Sequence, residues 1–466
     1  MAESLDAALQ RRGLQVCSLP TKGRCLFAAK HFSPGEVVLD QSPYVAVLNS
    51  YVDRRCDGCY REDCSLLRCA SCKSVWYCST SCQKRESSIH KYECKCLVTL
   101  MADKGRDLTP TLRLMLRLLI KRFLEKDKAG MENTWDNYEL VDALPTHFEE
   151  TPEQQLVLYA QMANLVKLTF VFEDVDIKEI ANNFCRFACN AHTICDAELR
   201  PLGVGLYPVI SIVNHSCHPN CILLFERKKA YVRAIQEIGQ GTEITVSYVD
   251  LGESTSTRLQ NLRKQYFFDC TCARCLSQDP SDVRLDNNYL EGFVCPVPKC
   301  RGLLVTVQED AEGMVCKACG KRTDKSTILN QVKTLESLLT DGLKELSTGN
   351  LREARQAFER LDQLQAPVLQ KSSLHRIKTY DNLLKVCMSM EDWTSSLSYC
   401  HKAISVYERV YLPNHPLLGL QYYTCGKLEW YLGNTVEAGK SYRKQRLKLC
   451  TCKGNLICDK KMESNL

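Results

Sequence analysis

The stretch Asn214-His215-Ser216-Cys217-His218-Pro219-Asn220 follows the apolar run of residues 209–213. Gly241-Thr242-Glu243-Ile244-Thr245-Val246-Ser247-Tyr248 comes after it, with the tyrosine 34 residues beyond Asn214. Cys270-x-Cys272-x2-Cys275 closes the segment. Taken singly, these are a polar turn, a strand ending in a tyrosine, and half of a metal site. Around them the chain has 466 residues, 25% charged and 45% hydrophobic, enough for several domains with real cores. That balance excludes a disordered tail and a collagenous repeat. The net formal charge of +6 is too small to mark a nucleic-acid binder, and the excess lies in residues 440–466, where eight Lys or Arg meet two Asp or Glu.

Twenty-nine cysteines are the anomaly. The first sixteen residues hold Glu3, Asp6, Arg11 and Arg12 and no apolar core of a signal peptide. The richest apolar run, residues 112–124, is broken by Arg113, Arg117, Lys121 and Arg122, far from the ~18 uninterrupted apolar residues of a membrane span. The expectation is a soluble, reduced, intracellular chain whose cysteines bind zinc.

Short β-like runs at 14–17, 25–29 and 36–48 open the chain, and Thr109-Pro110 begins a helical stretch in which Leu112, Leu116, Leu119 and Phe123 recur. Residues 156–172 read as a second helix. Residues 185–249 are mixed, with strands at 222–225, 230–234 and 243–248. From about 326 to 445 the chain is helical, and Gly349-Asn350, Glu391-Asp392 and Gly433-Asn434 recur every 42 residues at turns between helices. This pattern resembles a tetratricopeptide array of unusually long period.

Cys56-x2-Cys59, Cys69-x2-Cys72, Cys78-x3-Cys82 and His90-x3-Cys94 make eight ligands in four pairs, enough for two tetrahedral zinc ions. Spacing alone leaves open whether adjacent or alternate pairs share a metal. Cys64 and Cys96 fall outside the pattern and read as free thiols. Residues 53–95 carry nine Lys or Arg against six Asp or Glu, an ordinary balance. Cys295-x4-Cys300 and Cys316-x2-Cys319, with Gly302 and Gly320 nearby, resemble a zinc ribbon and predict a fourth zinc.

With Trp76-Tyr77-Cys78, the first cluster resembles the MYND zinc finger, and the Asn214, Tyr248 and Cys270 motifs resemble the SET domain of protein lysine methyltransferases. A SET domain interrupted by a MYND finger is the mark of the SMYD family, and the likeness is closest to its plant members. The resemblance implies an α+β fold: a SET-domain β-fold split by a MYND finger, then a post-SET zinc site and an α-helical TPR-like C-terminal domain. The corresponding segments are 1–52 and 181–252 for SET, 53–96 for the finger, 97–180 for a helical insert, 253–280 for post-SET, 281–325 for the ribbon, 326–445 for the helical domain and 446–466 for an irregular basic tail.

It further implies an S-adenosylmethionine-dependent methyltransferase acting on lysines of histones or other proteins. The finger's ligands would interleave, with Cys56, Cys59, Cys78 and Cys82 on one zinc and Cys69, Cys72, His90 and Cys94 on the other. Cys217, Cys270, Cys272 and Cys275 would bind a third. Lys22, Gly23 and Arg24 would meet the methionine end of the cofactor, Asn214 and His215 its amine and adenine, and Tyr266 and Phe268 the adenine and the transferred methyl. His147 and Asn190 match two further cofactor contacts. Tyr248 would orient amine and methyl, with Tyr266 and His192 beside the lysine channel. The implied partners are a lysine-containing protein or histone tail, and a proline-containing peptide at the finger. Neither nucleic acid nor membrane is implied. A monomer in nucleus and cytoplasm is expected.

Three departures from the family pattern stand out. Gly23-Arg24-Cys25 replaces a G-x-G, which predicts negative φ at Cys25. His192 takes the place of a channel phenylalanine, and reads first as a tolerated aromatic substitute. Residues after about 445 lose helical periodicity. Cys25 and His192 support one rival reading, a catalytically weak zinc-finger and TPR-like adaptor for transcriptional complexes.

Overall fold

The computed structural model describes residues 4–49, 55–62, 65–104, 108–126, 134–276, 287–307 and 310–453. The chain divides into two compact units. Residues 1–214, 220–246 and 263–268 make the first, and 215–219, 247–262 and 269–466 the second.

In the first unit, α1 (Leu5–Arg11) is capped by Ser4, whose side chain accepts from the Ala7 N–H. Antiparallel β1 (Leu14–Leu19) and β2 (Gly23–Ala28) follow. The run expected over 36–48 splits at Ser42-Pro43 into β3 (Val37–Gln41) and β4 (Val45–Leu48), which join different sheets. The finger contributes the short hairpin β5 (Leu67–Arg68) and β6 (Trp76–Tyr77). Then come α2 (Thr80–Lys104), α3 (Pro110–Lys126), α4 (Tyr138–Asp142), α5 (Glu153–Thr169) and α6 (Ile177–Asn190). Thr109 caps α3 as the Thr-Pro pair predicts, its hydroxyl accepting from the Leu112 N–H. β7 (Ala191–Cys195), β8 (Pro201–Leu206) and β4 form one sheet with β8 central. After the two-residue β9 (Asn214–His215) come β10 (Cys221–Glu226) and β11 (Lys229–Ala234), which with β3 form another sheet, and the short β12 (Thr245–Val246).

Of the helices that the patterning does not predict, α6 and α2 are the longest. α6 presents Ile180, Phe184 and Phe187 at helical spacing to a core that includes Met115, Leu119 and Leu206. α2 is too polar to show an apolar stripe, and the finger boundary expected at residue 96 falls inside it. The charges that break the apolar run of α3 are not on a solvated face. Arg113, Arg117 and Lys121 recur every four residues and point inward: Arg113 to Glu93 and Asp57, Arg117 to Glu93 and the Ala46 carbonyl, Lys121 to the Tyr44 carbonyl and Asp136.

The second unit holds α7 (Thr255–Tyr266) as far as Leu262, then α8 (Ala273–Leu276) and α9 (Asn287–Glu291). A three-stranded sheet follows, β13 (Leu304–Val307), β14 (Asp310–Cys316) and β15 (Arg322–Asp324). Six helices complete it: α10 (Lys325–Ser347), α11 (Leu351–Gln365), α12 (Ile377–Ser389), α13 (Trp393–Val410), α14 (Pro416–Tyr431) and α15 (Thr435–Lys453), each packed on the next. The 42-residue repeat is a repeat of helix ends. Gly349, Glu391 and Gly433 all have positive φ, at 82°, 58° and 78°. The N–H groups of Asn350, Asp392 and Asn434 reach back to the carbonyls of Glu345, Cys387 and Glu429, the six-to-one bond that closes a helix C-terminus.

Two expectations need correction. The tail is not irregular from 446, because α15 continues through Lys453; Lys, Arg, Leu and Gln favour helix without an apolar stripe. Residues 454–466 and Cys64 lie outside the described residues. The strand expected over 243–248 shrinks to β12, because side chains take its backbone groups: Asn220 accepts from Thr245 N–H and donates to the Glu243 carbonyl. Among the described residues, no helix is long and apolar enough to cross a membrane.

Candidate active site and metal centres

In the first unit, the Asn214 amide donates to the Arg24 carbonyl, Cys25 Sγ and Glu243 Oε1, each at 3.1 Å. Glu243 also holds Lys22, Nζ to Oε2 at 2.6 Å. The turn before Gly23, the Asn214 motif and the segment leading into β12 are thus tied through the Glu243 carboxylate. Gly23 has φ 68° with no atom near where a Cβ would stand, so conformation, not space, demands glycine. Cys25 is absent from the positive-φ residues, as predicted, so the missing second glycine imposes no backbone strain. Burial, reinforced by Glu243, raises the Cys25 thiol pKa and keeps it protonated. Arg24 reaches the Ala143 carbonyl, at 2.8 Å.

His147 sits at φ 51° and stacks on Phe267, centroids 5.2 Å apart. The aromatic facing His147 is therefore Phe267, at φ 58°, between the expected Tyr266 and Phe268, which are both half-buried. Burial pushes the Tyr266 phenol up to about 12. Asn190, the last residue of α6, gives its amide to the Pro145 and Arg186 carbonyls and so fixes the loop that carries His147. His192 meets the Tyr207 ring edge-on, at 5.8 Å, and its Nε2 pairs with Ser211 Oγ. Burial lowers its pKa to about 4, so it is a neutral aromatic, in line with the substitute reading.

In the second unit, the Tyr248 N–H donates to His215 Nδ1 at 3.0 Å. That bond leaves Nε2 as the donor, and it faces Cys217 Sγ at 3.2 Å. Arg258, fully buried, brings Nε to the same sulfur at 3.2 Å. One imidazole thus links the tyrosine backbone to a cysteine that also belongs to a metal-type cluster.

The structure gathers four such clusters: Cys56, Cys59, Cys78 and Cys82; Cys69, Cys72, His90 and Cys94; Cys217, Cys270, Cys272 and Cys275; and Cys295, Cys300, Cys316 and Cys319. The two finger sets interleave. Sulfur pairs such as Cys59–Cys78 at 3.6 Å, Cys217–Cys275 at 3.5 Å and Cys300–Cys316 at 3.5 Å are far too long for disulfides. They match the edge of a ZnS4 tetrahedron, about 3.8 Å for ~2.3 Å bonds, so the donor sets fit structural zinc with no open position. Cys96, outside the clusters, donates to the Thr169 carbonyl.

Glu93, Glu243 and Asn220 do structural work that the sequence reading assigns to none of them. Glu93 is fully buried; its Oε2 meets His90 Nδ1 at 3.0 Å, while Arg113 and Arg117 bond its Oε1. A carboxylate behind a zinc-ligating histidine fixes the ring and its tautomer. The signal for it was the i,i+3 spacing of His90 and Glu93.

The SET domain family matches residues 23–249. The chain is 45% identical over 439 residues to histone-lysine N-methyltransferase ASHR1 of Arabidopsis thaliana, covering 94% of this chain and 91% of that one. It is 28% identical to human histone-lysine N-methyltransferase SMYD3, covering 91% and 89%, and 28% identical to chicken N-lysine methyltransferase SMYD2, covering 94% and 93%.

Proposed function

Because this chain belongs to the SMYD family of SET-domain proteins, we propose that it transfers methyl groups from S-adenosylmethionine to lysine side chains of histones or other proteins. The observation that carries the reading is the His215 ring receiving the Tyr248 N–H, which joins the Asn214-His215 motif to the tyrosine 34 residues later.

S-adenosylmethionine, when bound, supplies an activated methyl group. Lys22, Gly23, Arg24, Asn190, Asn214, His215, Tyr266 and Phe268 would hold it, with His147 beside Phe267 as part of the stacking surface. The donor set fits: Asn214 Oδ1 accepts no hydrogen bond among the described residues, which leaves an acceptor for an ammonium, and Lys22 and Arg24, now on Glu243 and the Ala143 carbonyl, are the cations that a carboxylate would meet.

The chain's own task is to present a neutral amine. A free lysine has a pKa near ~10.4, and an apolar channel lowers it by disfavouring the ammonium. Tyr248, its backbone pinned by His215, would orient the amine, and Tyr266 and His192 would offer aromatic surface beside the lysine. Alignment of this kind is worth up to ~7–11 kcal/mol. The zinc of the Cys217 set is structural, since all four donors come from protein. At the finger, exposed Leu67 and half-buried Trp76, on paired strands, support docking of a proline-containing peptide.

Calorimetry tests the cofactor half of this reading. Asn214→Ala is expected to weaken S-adenosylmethionine binding at least tenfold; unchanged affinity would contradict it.

A further inference from the structure

Outside the four cysteine clusters, the helical repeat of the second unit gathers a different donor set. His401 on α13 and Cys425 and Glu429 on α14 bring an imidazole nitrogen, a thiol and a carboxylate oxygen within 4.8 Å of one another. Cys425 and Glu429 are four residues apart and so share one helix face. Cys425 Sγ lies 3.9 Å from His401 Nδ1 and 3.5 Å from Glu429 Oε1. For metal bonds of ~2.0–2.3 Å, the edges of a tetrahedron with mixed N, O and S donors are about 3.6 Å, so both separations suit one ion.

A second observation points the same way. Glu429 is 5% exposed, and its other oxygen, Oε2, is buried with no hydrogen-bond partner. A buried carboxylate with one oxygen unpaired costs free energy unless a cation neutralises the group, through either of its oxygens. Nearby protein groups do not supply a cation: Ser441, which is neutral, donates to Cys425 Sγ and lies within reach of the Glu429 carboxylate, and Lys444 Nζ reaches Tyr422. Cys400, next to His401, donates to the Gln421 carbonyl, and its thiol also lies against Cys425.

We propose that His401, Cys425 and Glu429 bind a fifth divalent ion of the zinc class, which clamps α13 to α14. Charge supports this metal class. A thiolate and a carboxylate carry two negative charges and the imidazole none, so a dication makes the buried site neutral, and a mixed S, N, O set suits zinc better than calcium or magnesium. Binding releases the Cys425 thiol proton to solvent as the Cys–metal bond forms. With three protein ligands and His401 exposed, the fourth position falls to water. The ion should therefore be held less tightly than those in the four-ligand sets.

Native mass spectrometry and elemental analysis, after dialysis against micromolar free zinc, test the proposal. His401→Ala and Cys425→Ser should each carry one ion fewer than wild type, and added zinc should raise the thermal midpoint of wild type but not of His401→Ala. His401 is exposed, so its variant keeps the fold. Equal metal content in wild type and both variants, a zinc-independent midpoint, or a Cys400–Cys425 disulfide in the native protein would each overturn the proposal.

Discussion

Replacing Glu93 with alanine removes one buried carboxylate and strands three partners at once. Its oxygens receive His90 Nδ1 at 3.0 Å, Arg113 Nε at 2.8 Å, and Arg117 Nε and Nη2 at 2.7 and 3.0 Å. Burial alone would raise its pKa, but Arg113 and then Arg117 hold it well below the usual carboxylate range, so it is charged at neutral pH. Asp57 still faces Arg113, and Glu86 lies 3.6 Å from Arg117, so the arginines keep partial partners. Breaking a buried ion pair by removing one member costs about 3–5 kcal/mol, and those residual partners place the expected loss near the lower end, about 3 kcal/mol. Loss of the carboxylate behind His90 should also weaken zinc in the Cys69 set about 10–100-fold. Urea unfolding followed through Trp76 and Trp135 fluorescence reads the first effect, and competition with a chromophoric chelator reads the second. A loss below about 1 kcal/mol with unchanged chelator competition would refute the reasoning, since a buried carboxylate with four contacts has no cheap replacement.

Other outcomes follow from single residues. Cys316→Ser should lower the native zinc count by one and leave the finger and post-SET sites filled; an unchanged count removes the ribbon zinc. Glu391 holds a left-handed conformation that glycine holds at the equivalent turns, so Glu391→Gly should stabilise the helical unit by about 1 kcal/mol, read as a raised thermal midpoint. The His192 pKa is lowered by burial from 6.5 to about 4, so between those values the unfolded chain binds a proton that the folded one does not, and stability falls as pH drops through that window. His192→Phe should flatten that part of the fall, measured as midpoint against pH beside wild type.

The metal centres were legible because cysteine and histidine pairs two to five residues apart can present both donors to one ion, and that spacing is local to the chain. Interleaving of the finger pairs was not contained in spacing; it needed the likeness to a family, and the structure bears it out. The repeat at 349, 391 and 433 was legible for a physical reason that its letters half concealed, since Glu391 does at one turn what glycine does at the other two. What escaped the sequence was polar and inward. In the sequence, Arg113, Arg117 and Lys121 only interrupt the apolar run of α3, and the carboxylates of Glu93 and Asp57 that Arg113 meets carry no pattern that pairs them with it. Glu243 and Asn220 looked like strand and turn residues, yet one carboxylate ties Lys22 to Asn214 and one amide substitutes for a ladder. Side chains that satisfy backbone groups leave no periodicity to read.

Methyl transfer itself tests the central claim most directly. Zinc-loaded protein is incubated with methyl-labelled S-adenosylmethionine and a panel of histones and other lysine-rich proteins, beside Tyr248→Phe, and modified residues are located by mass spectrometry. Label on lysine side chains, reduced roughly a hundredfold in the variant as expected for a misoriented reacting pair, is the predicted result. No lysine label above the Tyr248→Phe background on any protein, with no cofactor binding by calorimetry, would contradict it.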